Sequence, residues 1–162
     1  MIILILGTSR GSDYRTVSYE ALLPSMDTFE DTGVRYFSEI VFDLKRYQMI
    51  VGARDALYRL SMDGLKVLEK GWTNQFSSKK KSFFFPSAEW PATSQTIGLC
   101  TAKGQSEELC RNYVKILLLS SNAEQVFACG THAFSPKCSW REIVEIGKVT
   151  RLIDGRAKCP YR

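Results

Sequence analysis

Histidine is nearly missing from this chain of 162 residues, which holds only His132. There is no C-x-x-C pair, no N-x-S/T acceptor and no apolar run of transmembrane length. Structural zinc usually pairs its ligands about two to four residues apart, so the cysteine spacing and the lone histidine argue against it. Basic residues are not gathered into a groove either. The formal charge is +5, yet the one basic run is Lys79-Lys80-Lys81. A lysine triplet without interleaved aromatics reads as a solvated surface rather than a nucleic-acid footprint. The missing N-x-S/T acceptor neither supports nor excludes secretion. The opening Met1-Ile2-Ile3-Leu4-Ile5-Leu6 lacks a basic flank and is short for a signal core. It reads as the remnant of a signal peptide, as a first β-strand, or as an arbitrary start.

What the chain does have is cysteine in an ordered arrangement. Four of its five cysteines fall between residues 100 and 138 in two local pairs, one on each side of an apolar run. Cys100 and Cys110 enclose nine residues, and Cys129 and Cys138 enclose eight, including Gly130 and Pro136. Short polar loops closed by cysteines read as local disulfide staples on β-structure, which persist in oxidising compartments and point to an extracellular protein. Two other readings stand beside this one. Unpaired cysteines are often simply buried. A Cys129–His132 nucleophile would need an acid partner and an oxyanion hole, neither of which can be named.

The hydrophobic share of 44% suits one globular domain with a real core. Residues 35–69 read as a meander of short strands. Arg35-Tyr36-Phe37-Ser38-Glu39-Ile40-Val41-Phe42 is rich in aromatic and β-branched residues, and Asp43-Leu44-Lys45-Arg46 can turn. Tyr47-Gln48-Met49-Ile50-Val51-Gly52-Ala53 is the second strand, and Leu57-Tyr58-Arg59-Leu60-Ser61 the third. Met62-Asp63-Gly64 then supplies a hairpin turn, because glycine accepts positive φ at no steric cost. Leu65-Lys66-Val67-Leu68-Glu69 is expected to return as the fourth strand. Four strands about ten residues apart suit a propeller blade or a sandwich sheet.

A second unit follows. Ser106 is expected to cap a short helical turn carrying Glu107 and Glu108. Tyr113-Val114-Lys115-Ile116-Leu117-Leu118-Leu119 predicts a strand suited to the buried inner part of a sheet. Residues 120–124 turn, and Gln125-Val126-Phe127-Ala128-Cys129-Gly130-Thr131 returns. Residues 49–53 and 126–130 both read as an apolar strand ending in small residues, compatible with a repeated blade. The tail from residue 143 to 162 suggests another hairpin.

With these residues in view, the chain resembles the N-terminal part of a semaphorin domain, over roughly residues 36–70 and 90–161. The resemblance rests on Val51-Gly52-Ala53-Arg54-Asp55-Ala56-Leu57-Tyr58-Arg59-Leu60 and on Lys103-Gly104-Gln105-Ser106-Glu107-Glu108-Leu109-Cys110-Arg111-Asn112-Tyr113. It rests also on Cys129-Gly130-Thr131-His132-Ala133-Phe134-Ser135-Pro136-Lys137-Cys138 and on Lys158-Cys159-Pro160-Tyr161. The wording around Ser18-Tyr19-Glu20 and residues 51–60 leans towards an invertebrate or class 5-like semaphorin. His132 stands where the family usually has Asn, and Arg162 where it has Asp.

The resemblance implies an all-β fold: a partial seven-bladed β-propeller, about two N-terminal blades, with local disulfides Cys100–Cys110 and Cys129–Cys138. It implies an extracellular guidance ligand, secreted or membrane-anchored, that signals through plexin-type receptors as a homodimer, with no catalysis and no cofactor or metal. Cys159 is then the odd cysteine, and no receptor-contact residue can be named. Residues 71–89 have no counterpart in the family and read as an insert, either a surface loop or a retained intron translated in frame. Three other readings remain: a plexin-type receptor ectodomain, a thiol enzyme using Cys129, and a truncated product that is non-functional, a decoy, or without a stable fold of its own.

Overall fold

The computed structural model describes residues 2–3, 16–68 and 87–156. Lys79-Lys80-Lys81, most of the expected insert, Cys159 and the Lys158–Tyr161 motif lie outside the described residues.

Two four-stranded antiparallel sheets form the framework of the described chain. The first runs in the order β3 (Glu39–Asp43), β4 (Gln48–Ala53), β5 (Ala56–Ser61), β6 (Ser87–Glu89). Its central strands carry Met49-Ile50-Val51 and Leu57-Tyr58 with Leu60, and β4 is buried along its whole length. Ala53 pairs with Ala56, so Arg54-Asp55 forms a two-residue hairpin turn with Asp55 at φ 60°. Aspartate tolerates that left-handed backbone better than most residues.

The expected hairpin at Met62-Asp63-Gly64 is present. Ser61 N donates to Lys66 O at 2.8 Å, Leu68 N to Arg59 O at 2.8 Å, and Leu60 opposes Val67. The fourth strand, however, is not Leu65–Glu69. After this one bridge the edge of β5 passes to Ser87–Glu89, which pairs with Tyr58, Leu57 and Ala56. Those three residues come from the segment set aside as an insert, so the sheet uses its last part.

The second sheet contains β7 (Val114–Leu119), β8 (Gln125–Gly130), β9 (Lys137–Glu142) and β10 (Val149–Asp154), in that spatial order. Three expectations are adjusted here. β7 is not buried on both faces: Val114 and Leu117 point into the core, while Ile116 and Leu118 are 43% and 56% exposed. Among the described residues, the tail's hairpin is made with the strand before it. β10 pairs with β9, a strand that starts inside the second cysteine loop, and Ile143 drops into the core between them. Residues 49–53 and 126–130 do occupy matching places, since β4 and β8 are each the second strand of their sheet.

The core between the sheets holds Ile50, Leu57 and Ala88 against Val114, Leu117, Val126, Ala128, Ile143 and Ile146. The edge strands β3 and β7 meet at one side, where Ser38 Oγ donates to Val114 O at 2.7 Å. The far face of the first sheet is covered by the preceding segment, whose Phe29, Val34 and Phe37 pack on Met49, Val51, Tyr58 and Leu60. Within that segment, β2 (Thr28–Phe29) pairs with β1 (Ile2–Ile3), the strand reading of the chain's start. Two helices complete the set: a single turn, α1 (Tyr19–Leu22), and α2 (Ser94–Ala102), capped by the Thr93 hydroxyl.

Candidate functional site

Both cysteine pairs and the tight Arg54-Asp55 turn lie at or near one polar hub that joins the two sheets. Its centre is Asn112, which is fully buried. Asn112 Nδ2 donates to Trp90 O at 2.6 Å, and its Oδ1 accepts from His132 N at 3.1 Å. Asn112 N donates to Asp55 Oδ1 at 2.9 Å, while Asp55 N donates back to Asn112 O at 2.8 Å. Trp90 N closes the circuit by donating to Asp55 O at 2.7 Å. One side chain thereby satisfies backbone groups from two separate segments, while its own backbone bonds a third, as buried polar groups require. Neighbouring glycines make the room: a Cβ on Gly130 would land on Asn112, and one on Gly52 would sit 2.6 Å from Val114 Cγ1.

Charged groups surround the hub. Arg54 pairs with Glu108 at 2.7 Å and lies over the Tyr36 ring. Tyr113 donates to the same carboxylate at 2.9 Å. Arg54, and then Tyr113, hold the Glu108 carboxyl below its usual value. Burial, followed by the Glu108 carboxylate, pushes the Tyr113 phenol up to about 12. Arg141 is buried, stacked 4.7 Å from the Trp90 ring, and donates to Ser139 Oγ and Ile146 O. Burial pushes its guanidinium down to about 10.

The structure brings the four expected cysteines together in two bonds. Cys100, on α2, joins Cys110 with Cα atoms 5.8 Å apart. Cys129 and Cys138 face each other directly across β8 and β9, with Cα atoms 4.0 Å apart. The Cys129 sulfur, weighed above as a nucleophile, is thus bonded to Cys138. Between those two cysteines the backbone makes a left-handed turn, with His132, Ala133 and Phe134 at φ 43°, 56° and 60°. The His132 ring packs edge-on against Trp90, 5.1 Å between centroids, and its buried Nε2 has no partner. Burial, with Lys137 and Arg141 nearby, pulls this imidazole below its usual value, and Asp55 acts in the opposite sense.

Asn112, Asp55, Trp90 and Arg141 were not singled out from sequence. The partners that Asn112 finds in Trp90, His132 and Asp55 lie about 20 or more residues away, beyond the reach of any local pattern. The one available signal was a charged Arg-Asp pair inside an apolar hairpin. Among the described residues there is no cluster of three or more metal-ligating side chains, and no helix is long and apolar enough to cross a membrane. The hub combines a hydrogen-bonded backbone network around Asn112, two disulfides and a buried cation.

Two stacked four-stranded antiparallel sheets with this hub define part of a β-propeller of the sema type. The chain is semaphorin-like and class 5-like along most of its length. It is 43% identical over 150 residues to Semaphorin 5c of Drosophila melanogaster, covering 93% of this chain. It is 37% identical over 149 residues to mouse Semaphorin-5B, covering 92% of this chain. It spans about 12% of the length of each of these relatives. Among solved structures, Drosophila Semaphorin 1b extracellular domains 1-2 match with a TM-score of 0.54 and 28% identity, over 76% of this chain and 20% of that one. A chain in the complex of Drosophila Plexin A with Semaphorin 1b matches with a TM-score of 0.53 and 27% identity, over 74% of this chain and 19% of that one. No protein-family model matches the chain.

Proposed function

We propose that this chain is the N-terminal part of the sema domain of an extracellular guidance ligand that binds a plexin-type receptor, acts as a homodimer and carries out no catalysis. The observation that carries the reading is the hub itself. The motifs of the resemblance, Arg54-Asp55, Cys110-Arg111-Asn112 and the Cys129–Cys138 loop, meet around one buried asparagine in a fold shared with semaphorins. The naming of a semaphorin beside a plexin in one matching complex supports the choice of partner. The relatives at 43% and 37% identity are semaphorins, which favours the ligand over a plexin-type receptor. The cysteine pairs Cys100–Cys110 and Cys129–Cys138 belong to the same proposal, since both suit an oxidising, extracellular setting.

Binding of the secreted ectodomain that contains this chain, measured on plexin ectodomains immobilised beside an unrelated receptor, tests the function. Saturable binding to a plexin alone is expected; binding to none overturns the ligand reading. Peptide mapping without reduction tests the staples, with Cys100 linked to Cys110 and Cys129 to Cys138 as the expected result. Free thiols at these four positions would return the cysteines to the buried or reactive readings.

A further inference from the structure

The split edge of the first sheet carries an inference about residues 69–86 that does not depend on the proposed function. The hairpin puts Val67 opposite Leu60 and Leu68 beside Arg59. Continuing that register would place residue 69 opposite Tyr58. Ser87 stands there instead, followed by Ala88 opposite Leu57 and Glu89 opposite Ala56. Residues 69–86, eighteen in number, are therefore surplus to a ladder whose two halves abut on neighbouring residues of β5.

The hydrogen bonds keep the same phase across the junction. Arg59 O accepts from Leu68 N, and Asp55 O, in the turn just before β5 and four residues back along the chain, accepts from Trp90 N. An even step returns an antiparallel ladder to the same kind of pair. The faces agree as well. Val67 packs with the outer cluster and Ala88 with the core between the sheets, as alternation along one continuous strand demands once eighteen residues are set aside.

We propose that Lys66–Leu68 and Ser87–Glu89 are two halves of a single edge strand, and that residues 69–86 are a unit inserted into it and removable without changing the sheet. Removing these eighteen joins Leu68, beside Arg59, directly to Ser87, opposite Tyr58, so every side chain keeps its own face. Removing residues 71–89, the boundaries suggested by sequence, takes out nineteen and slips Trp90 by one place in the ladder. A one-residue slip turns each following side chain to the wrong face. An in-frame intron retained in the message would accordingly correspond to eighteen codons rather than nineteen.

Cysteine pairs placed across the ladder test this in the full chain. Ala56→Cys with Glu89→Cys reports the second half, and Leu60→Cys with Val67→Cys the first; both are positions between hydrogen-bonded pairs, where side chains approach most closely. Both cross-links are expected in the intact chain, as read by mass mapping. Both are expected to persist when residues 69–86 are deleted, with a melting temperature at or above that of the intact chain, because a loop-closure cost is removed. Deleting residues 71–89 removes Glu89 itself and brings Trp90 opposite Ala56 in place of Asp55, and is expected to lower the melting temperature. The proposal is overturned if the Ala56–Glu89 pair fails to cross-link in the intact chain, or if the 69–86 deletion loses the Leu60–Val67 cross-link that the intact chain retains.

Discussion

Replacing Asn112 with leucine removes the two side-chain hydrogen bonds at the centre of the hub and little volume. Trp90 O and His132 N lose their partner, and neither can reach water easily beside a side chain that is 0% exposed. A buried polar group left unsatisfied costs about 1–3 kcal/mol, so two of them cost roughly 2–6 kcal/mol. At about 2–4 °C per kcal/mol for a domain of this size, the melting temperature falls by roughly 5–20 °C. Asn112→Asp separates the two bonds. It keeps an acceptor for His132 N and turns the donor that faced Trp90 O into a second acceptor, so it is expected to be as damaging as leucine, or more so. Calorimetry of the secreted protein, wild type against both variants, reads the effect directly. A leucine variant melting within about 2 °C of wild type would refute the reasoning, because it would bring the cost of both lost bonds below about 1 kcal/mol.

His132 predicts a dependence on acid. Its folded-state value lies below the ordinary one, mainly through burial. The unfolded chain therefore binds the proton first, and stability is complete above about pH 6.5 and falls as pH drops from there towards the folded value. Urea midpoints at about pH 7.5 and 5.5 should differ in that direction, and His132→Asn, which tolerates the same left-handed backbone, should reduce the difference. Gly52→Ala places a methyl 2.6 Å from Val114 Cγ1, between the two sheets. A loss of about 1–3 kcal/mol is expected from that overpacking, read as a lower denaturant midpoint; an unchanged midpoint would mean the sheets can separate at no cost.

Much of the first sheet was legible because its signals are local. Alternation in Leu57-Tyr58-Arg59-Leu60 and the glycine turn after Asp63 mark β5 and its hairpin, and the structure keeps both. α2 was not legible. Its Ser94–Ala102 stretch mixes threonines, an isoleucine and Gly98, and buries only Cys100, so neither propensity nor an apolar stripe announces a helix. The second half of the edge strand was hidden for another reason. Ser87-Ala88-Glu89 is too short and too polar to read as a strand, and only the waiting edge of β5 makes it one. The hub was the least legible part of all, since Asn112 gains its role from Trp90 and His132, each met only after the chain has folded.

The two sheets differ in how they are finished. The first has both faces occupied, one by its neighbour and one by the segment carrying Phe29, Val34 and Phe37. The second offers Ile116 and Leu118 outward, with the Phe127–Trp140 stack beside them on the same face. Among the described residues one sheet is covered on both faces and the other on one, and the apolar rows of β7, β8 and β9 mark the uncovered face.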